Sequence, residues 1–184
     1  MKQLFERIIV WGADKGLHDI EFNALVQIDL LLKGLCKVNE AFIAGNTDKA
    51  VSKICDLIIH AVNALALLDW HNELLDTDFD GTVLENFDNK KCVRLLMQCV
   101  FNVTYTATAK KTNTEILCDK YTILIDVCFN CIESLGYSPE LALEQTVLKI
   151  ESRRGKWNGV IGKLVKEKGQ EDAYTPDYSL AKLK

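Results

Sequence analysis

The segment from Lys53 to Leu68 carries a polar stripe on an apolar background. The stripe consists of Lys53, Asp56, His60 and Asn63. Their spacing of i, i+3, i+7 and i+10 places all four side chains on one face of a helix. Burying such groups without partners costs on the order of 1–3 kcal/mol each. We therefore expect the stripe to face a ligand groove that satisfies these groups.

Further cations lie in two other segments that a folded chain could bring beside this stripe. If the helices predicted over 21–44 and 47–70 pair as a hairpin, their polar stripes converge on one groove. Several cations together with hydrogen-bonding groups suit a phosphorylated ligand. The predicted ligand-binding residues are Lys33, Lys37, Lys53, Asp56, His60, Asn63, Lys149, Arg153, Arg154 and Lys156.

A structural interpretation of the same residues stays open. Lys33 and Lys37 lie opposite the apolar seam of their helix, where a solvated face is the ordinary arrangement. His60 would then be a core histidine with satisfied hydrogen bonds rather than a ligand contact. The pattern alone does not choose between a groove and a solvated face.

The elements that carry these residues are predicted to be helices. Only two prolines, Pro139 and Pro176, interrupt a chain rich in helix-forming residues. Apolar residues recur with a 3.6-residue period, and Asp19 and Thr47 are predicted caps. The fold class is therefore all-α, a bundle of about six helices. The predicted helices cover 2–12, 21–44, 47–70, 90–111, 115–135 and a last stretch from Pro139.

A second polar stripe, Asp126, Asn130 and Glu133, repeats the spacing of Asp56, His60 and Asn63 about seventy residues later. This repeated spacing favours two related helical hairpins, at 22–70 and 90–136, that form a four-helix core. Only three residues repeat, so the alternative that the spacing arose by chance stays open. If the hairpins are related, the second stripe could supply another wall of the groove.

The composition and the charge of the chain limit which cell compartment and which partners we expect. A net charge of −4 gives no reason to expect nucleic-acid binding. Seven cysteines, an odd number without disulfide-type spacing, favour the reducing cytoplasm, and the Cys128-x-x-Cys131 pair favours packing over redox or metal chemistry. No apolar run approaches the ~20 residues of a membrane span, so no membrane partner is expected.

The acidic stretch that begins at Asp76 resembles a calcium loop, but Phe87 stands where that loop needs Glu, so we expect a solvated connection.

Two sequence blocks resemble a known family. The first contains VWGADKG and then Gln27-x-x-Leu30-x-x-Lys33-Gly34-x-x-Lys37; the second contains KIESRRGKWNG. Their order and spacing are similar to those of the MazG-like all-α nucleoside triphosphate pyrophosphohydrolases, especially the small phage-encoded forms. The resemblance implies a MazG-like bundle over 1–157 with an extra element at about 71–120. Residues 158–184 would be a C-terminal tail or arm.

The chain departs from that family at its magnesium ligands. In the family a Glu-Glu-x-x-Glu helix and a Glu-x-x-Asp helix hold Mg²⁺. The corresponding positions here are Lys33, Gly34, Lys37 and Lys53, and only Asp56 survives. Two unit charges 4 Å apart interact by about 4 kcal/mol at an effective dielectric near 20, and lysine repels a dication. We therefore expect no metal, no cofactor and no catalytic residue.

The resemblance and its departures predict a non-catalytic MazG-like nucleotide-binding protein. It would sequester a phosphorylated nucleotide or a nucleotide-derived signal, and in a phage it would act as an anti-defence sponge. One alternative is a pyrophosphohydrolase with a rebuilt Mg²⁺ site, formed by Asp56, Asp119, Asp126 and Glu133. A second alternative is a protein–protein interaction module with a vestigial groove. Helical hairpins of this kind also predict a homo-oligomer.

Overall fold

The computed structural model describes residues 1–19, 21–79, 81–153, 155–158, 163–166 and 174–183. Within these ranges the chain is an all-α helical bundle, as predicted. The helices are α1 (Lys2–Asp14), α2 (Ala24–Ile43), α3 (Thr47–Leu67), α4 (His71–Leu75), α5 (Asn89–Ala107), α6 (Thr114–Ser134) and α7 (Pro139–Glu151). Two short strands, β1 (Gly155–Asn158) and β2 (Lys163–Lys166), and a 3₁₀ helix, Tyr178–Ala181, follow.

Short polar side chains begin the long helices. Asn23 accepts a hydrogen bond from the Val26 amide, and Asn46 accepts one from the Lys49 amide. The predicted caps Asp19 and Thr47 are therefore wrong, since asparagines begin these helices instead. The predicted start of the last helix at Pro139 is confirmed, since the proline lies in the first turn of α7 and Ser138 caps the helix by accepting a hydrogen bond from the Leu141 amide. Each such cap stabilises its helix by about 1 kcal/mol.

Two helical hairpins form the four-helix core. Helix α2 packs against α3 and α5 against α6, while the α3–α6 and α2–α5 contacts join the two hairpins. The apolar seam predicted for α2 consists of Ile28, Leu31, Leu35, Val38 and Phe42. The first four are buried, and Phe42 is partly buried and packs against the core. The predicted four-helix core is thus present.

Helix α3 lies at the centre of the molecule. Besides α2 and α6 it contacts α1, α4, α7 and the 3₁₀ helix. By length and composition α3 would suit a membrane span, but 72% of its most apolar window is buried inside the bundle. That burial is typical of a core helix, and it explains why a polar stripe on α3 needs partners.

The connection between the hairpins contributes to the core. Phe79 is only 9% exposed. Its ring lies 5.5 Å from Phe5 in an edge-on contact and 5.5 Å from Phe129. The segment 71–89, predicted to be a solvated acidic connection, therefore also anchors α1 to α6 through an aromatic cluster.

The C-terminal residues that the structure describes return to the bundle. Strands β1 and β2 pair antiparallel, with Gly155 opposite Lys166. Further on, the Ser138 amide donates to the Ala181 carbonyl at 2.7 Å, and the Leu183 amide donates to the Gly136 carbonyl at 2.8 Å. Residues 174–183, which lie in the segment expected to be a tail or arm, thus pack against the start of α7.

Candidate functional site

The polar stripe of α3 holds a half-buried ion pair. Lys53 Nζ donates to Asp56 Oδ2 at 2.7 Å, one helical turn along the same face. The two side chains are 19% and 24% exposed. Both groups are therefore largely removed from water but reachable from the surface.

Helix α7 places a second cation beside this pair. Burial raises the pKa of the Asp56 carboxyl, but Lys53 and Lys149 more than offset it, so the pKa lies below its ordinary value. Burial lowers the pKa of the Lys149 ammonium, as do Lys53 and Arg153, while Asp56 opposes the change. The Asp56 carboxylate is therefore ionised at neutral pH: Lys53 binds it directly, and the charge of Lys149 stabilises it further.

His60 lies among the same charges. Burial lowers the pKa of its imidazole, and the cations Lys37, Lys53 and Arg153 lower it further against the attraction of Asp56. A neutral imidazole offers one hydrogen-bond donor and one acceptor. His60 is thus equipped to bind a ligand as a polar group rather than as a cation.

These side chains define one site, which we name the cation cluster. Helices α2, α3 and α7 and the residues just after α7 supply its four cations and its single carboxylate. Because one carboxylate cannot neutralise four cations, the cluster carries an excess of positive charge among the described residues. Its members are Lys37, Lys53, Asp56, His60, Lys149 and Arg153.

Lys33 belongs to the solvated face of α2. It forms an ion pair with Asp29 one turn earlier, and the two side chains are 55% and 56% exposed. Such an exposed pair contributes little to stability. The solvated-face interpretation therefore fits Lys33. Lys37, one turn further on, is also exposed, but its charge lowers the pKa of His60, and we assign it to the cluster.

Asn63 has protein partners that account for its polarity. It is 3% exposed, its Oδ1 lies 3.0 Å from His18 Nε2, and its Nδ2 donates to the Ile59 carbonyl at 2.9 Å. A Cβ on Gly12 would lie 2.2 Å from Asn63 Oδ1, so a glycine is needed for this close approach. Asn63 thus binds the turn after α1 to α3 through His18, although the sequence predicted that it would contact a ligand.

Two predicted site residues cannot be placed. Arg154 lies outside the described residues, and so does the side chain of Lys156.

The second polar stripe, on α6, hydrogen bonds the segment that connects the two hairpins. Asn130 Oδ1 accepts a hydrogen bond from the Thr82 amide at 2.7 Å, and Asn130 Nδ2 donates to Asp126 Oδ2 at 3.1 Å. Ser134 Oγ accepts from the Leu84 amide at 2.8 Å. Instead of forming a groove wall, this part of α6 holds the connection between the hairpins.

The rebuilt metal site has no counterpart in the described part of the chain. No group of three or more His, Cys, Asp or Glu side chains there could hold a metal ion. Asp56, Asp119, Asp126 and Glu133 all lie within the described ranges. The four carboxylates therefore do not converge as a magnesium site requires.

The cysteines are free thiols, and all but Cys36 are buried. Burial raises the pKa of the Cys55 thiol to about 12 and that of Cys99 to about 11. Thiols with such a pKa are protonated at neutral pH and are poor nucleophiles. They fill the core between the helices.

A buried polar network beside the cluster was not predicted from the sequence. Thr146 is fully buried, and its hydroxyl lies 2.7 Å from the hydroxyl of Tyr178, which is 7% exposed. Burial raises the pKa of the Tyr178 hydroxyl to about 12. A sequence signal existed: Thr146 precedes Lys149 by three residues, so it continues a polar stripe.

The chain matches no protein-family model, no curated protein and no solved structure. Its class is therefore defined by fold and site: an all-α bundle with a four-helix core and a half-buried cation cluster. The resemblance to MazG-like enzymes stays a prediction from the sequence motifs.

Proposed function

We propose that the protein binds a phosphorylated nucleotide or a nucleotide-derived signal molecule and does not hydrolyse it. The observation that carries this proposal is the charge of the cation cluster. Lys37, Lys53, Lys149 and Arg153 act on two half-buried groups, and Asp56 is the one carboxylate among them. Lys53, Lys149 and Arg153 are partly buried and Lys37 is exposed beside them, so a bound anion would offset the cost of bringing the three partly buried cations together.

The cluster contains the donors that phosphate recognition uses. An arginine guanidinium binds phosphate oxygens through two parallel hydrogen bonds, and lysine ammonium groups add compact charge. Each hydrogen bond to a charged group contributes about 1.5–3 kcal/mol. The neutral His60 and Asp56 Oδ1, the carboxylate oxygen that Lys53 does not bind, can hydrogen bond the base or ribose of a nucleotide.

The same arrangement supports binding without turnover. Magnesium-dependent hydrolysis requires several carboxylates that hold the metal and a water activated by it. Asp56 is already paired with Lys53 at 2.7 Å, and Lys149 also stabilises its charge. In a phage, a protein of this kind would sequester a nucleotide signal of host defence, as the MazG-like resemblance suggests.

The test is calorimetric titration in EDTA, with nucleoside triphosphates, cyclic dinucleotides and inorganic triphosphate as probes. We expect saturable binding of at least one probe. Lys37→Glu should weaken it by about 10–100-fold, the equivalent of one lost charge-assisted contact. Lys33→Glu makes the same charge change one turn earlier on α2, outside the cluster, and should change the affinity less than about twofold.

Three results would count against the proposal. Failure of every phosphorylated probe to bind the wild-type protein would exclude anion recognition at the cluster. Release of pyrophosphate from a nucleoside triphosphate with Mg²⁺, abolished by Asp56→Ala, would instead establish the enzyme alternative. Equal probe affinities of Lys37→Glu and wild type would favour the interaction module with a vestigial groove.

A further inference from the structure

Tyr174 is fixed along α7 by hydrogen bonds at both ends of the residue. Its amide donates to Oγ of Ser152, the C-cap residue of α7, at 2.9 Å. Its hydroxyl donates to Gln145 Oε1, two turns earlier on α7, at 2.5 Å. Gln145 is only 8% exposed, so packing holds this acceptor in place. The tyrosine therefore has little freedom to turn away from the helix.

The anchored tyrosine lies alongside Lys149 of the cation cluster. Gln145, Lys149 and Ser152 follow one another at spacings of four and three residues, so they lie on one face of α7. A helix rises about 1.5 Å per residue, which puts the two anchors about 10 Å apart along the axis with the lysine between them. Ser152 Oγ also donates to the Lys149 carbonyl at 2.8 Å. The side chain of Tyr174 thus runs past the turn of α7 that carries Lys149.

Although it is bound at both ends, Tyr174 stays accessible to solvent. It is 37% exposed, whereas Tyr178 of the same segment is 7% exposed and belongs to the core. An exposed aromatic ring that is already ordered in the free protein spares a ligand the cost of ordering it. Aromatic side chains of this kind stack on nucleobases, and each stacked base contributes about 1–3 kcal/mol.

We propose that Tyr174 is a ligand-contacting residue of the cation cluster and that its ring stacks on the base of the bound nucleotide. Lys149 and Arg153 would hold the phosphates, and the ring beside them would hold the base. The inference rests on the proposed function and deepens it, because it separates recognition of the base from recognition of the phosphates. It also makes residues 174–183 part of the binding site rather than a tail.

Two substitutions of Tyr174 separate its aromatic face from its anchoring hydroxyl. Tyr174→Phe and Tyr174→Leu both remove the hydrogen bond to Gln145, but only the leucine variant removes the ring. Gln145 Oε1 keeps a partner in both variants, because it also accepts from the Asp177 amide at 3.0 Å. Both variants also keep the amide that donates to Ser152. We therefore expect both to fold.

Tyr105 offers a matched control outside the site. It is 80% exposed near the end of α5, a helix that packs against α2 and α6. Tyr105→Leu makes the same change of side chain at an exposed tyrosine and leaves the surroundings of Lys149 untouched.

The experiment titrates ATP and inorganic triphosphate calorimetrically in EDTA into the full chain. ATP is a suitable probe because every base has a face that can stack. Tyr174→Leu should weaken ATP binding by roughly tenfold and change triphosphate binding by less than about twofold. Tyr174→Phe should bind ATP more tightly than Tyr174→Leu, and Tyr105→Leu should behave as wild type. In NMR spectra of wild type, the ring protons of Tyr174 should shift upfield with ATP and stay in place with triphosphate.

The outcomes separate this inference from the proposed function. If wild type binds neither probe, the proposed function fails and the stacking role fails with it. If Tyr174→Leu weakens the binding of both probes equally, the residue supports the structure of the site, and the stacking role is overturned while phosphate recognition stands. Unchanged ATP affinity in Tyr174→Leu, or equal losses in the leucine and phenylalanine variants, would overturn the stacking role in the same way.

Discussion

The protonation state of His60 depends on its surroundings. Its imidazole is held neutral by burial, and Lys37, Lys53 and Arg153 reinforce the effect. In the unfolded chain the same imidazole would titrate near its ordinary pKa of 6.5. The unfolded state therefore binds more protons than the folded state once the pH falls into that range.

We predict a pH dependence of stability with a definite sign. Because the folded pKa of His60 is the lower one, the stability it contributes is fully present above about pH 6.5 and is lost as the pH falls. Urea unfolding at pH 7.5 and 5.5 should show a lower free energy of unfolding at pH 5.5. His60→Gln should reduce that difference, and His71→Gln, on α4, is the matched control. An equal pH dependence in wild type and His60→Gln would contradict the assignment.

Single residues also show why the site was only partly predictable. Asp29, four residues before Lys33, already offered that lysine a local partner, and this could have been read from the sequence. Asn63 is different, because its partner His18 lies 45 residues away and the contact exists only once α1 packs on α3. Tyr178 was missed for the same reason.

At the scale of elements, α2 and α3 approach each other closely at Gly34. A Cβ at this position would lie 2.5 Å from Leu57 Cδ2. Leu57 is fully buried, so its side chain has little room to move. This approach sets the distance between the helices that carry Lys37 and Lys53.

Gly34→Ala should therefore destabilise the protein and disturb the cluster. Alanine favours the helix by about 1 kcal/mol, but overpacking typically costs about 1–3 kcal/mol, so we expect a net loss. Triphosphate affinity should fall as well, because Lys37 moves away from α3. Cys36→Ala, at an exposed position of the same helix, should stay within about 0.5 kcal/mol of wild type. A Gly34→Ala protein as stable as wild type would show that α2 and α3 can separate freely.

The helices themselves were predictable because local periodicity determines them. The seam of α2 and the start of α7 at Ser138-Pro139 are confirmed. Boundaries were less certain, since several short polar residues near each helix start could serve as the cap, and Asn23 was preferred over Asp19. The packing of residues 174–183 depends on contacts with α3 and α7 that no local pattern encodes.

At the scale of the molecule, the four-helix core is covered unevenly. Helices α1, α4 and α7 pack against α3, whereas α2 and α5 pack against each other and against α3 and α6. Large apolar side chains are exposed on α2 and α5: Ile43 is 79% exposed, Phe101 56% and Met97 38%. A cavity of about 540 Å³ opens between the end of α2 and the start of α5, lined by Phe42, Val93 and Met97 among others.

This face gives the predicted homo-oligomer a testable location. Burying apolar surface against a second copy would stabilise an assembly by roughly 25 cal/mol per Å². We expect sedimentation velocity to show an oligomer of the wild-type protein, and Phe101→Asp to shift it towards the monomer while the circular dichroism stays helical. Ile123→Asp introduces the same charge at a 47% exposed position of α6, outside this face, and should leave the assembly intact.

A wild-type protein that sediments as a monomer, or an Ile123→Asp variant that dissociates as readily as Phe101→Asp, would remove this face from the interface. The cation cluster is built from helices of one chain, so triphosphate binding should survive in the Phe101→Asp monomer, and its loss there would show that the site needs the second copy.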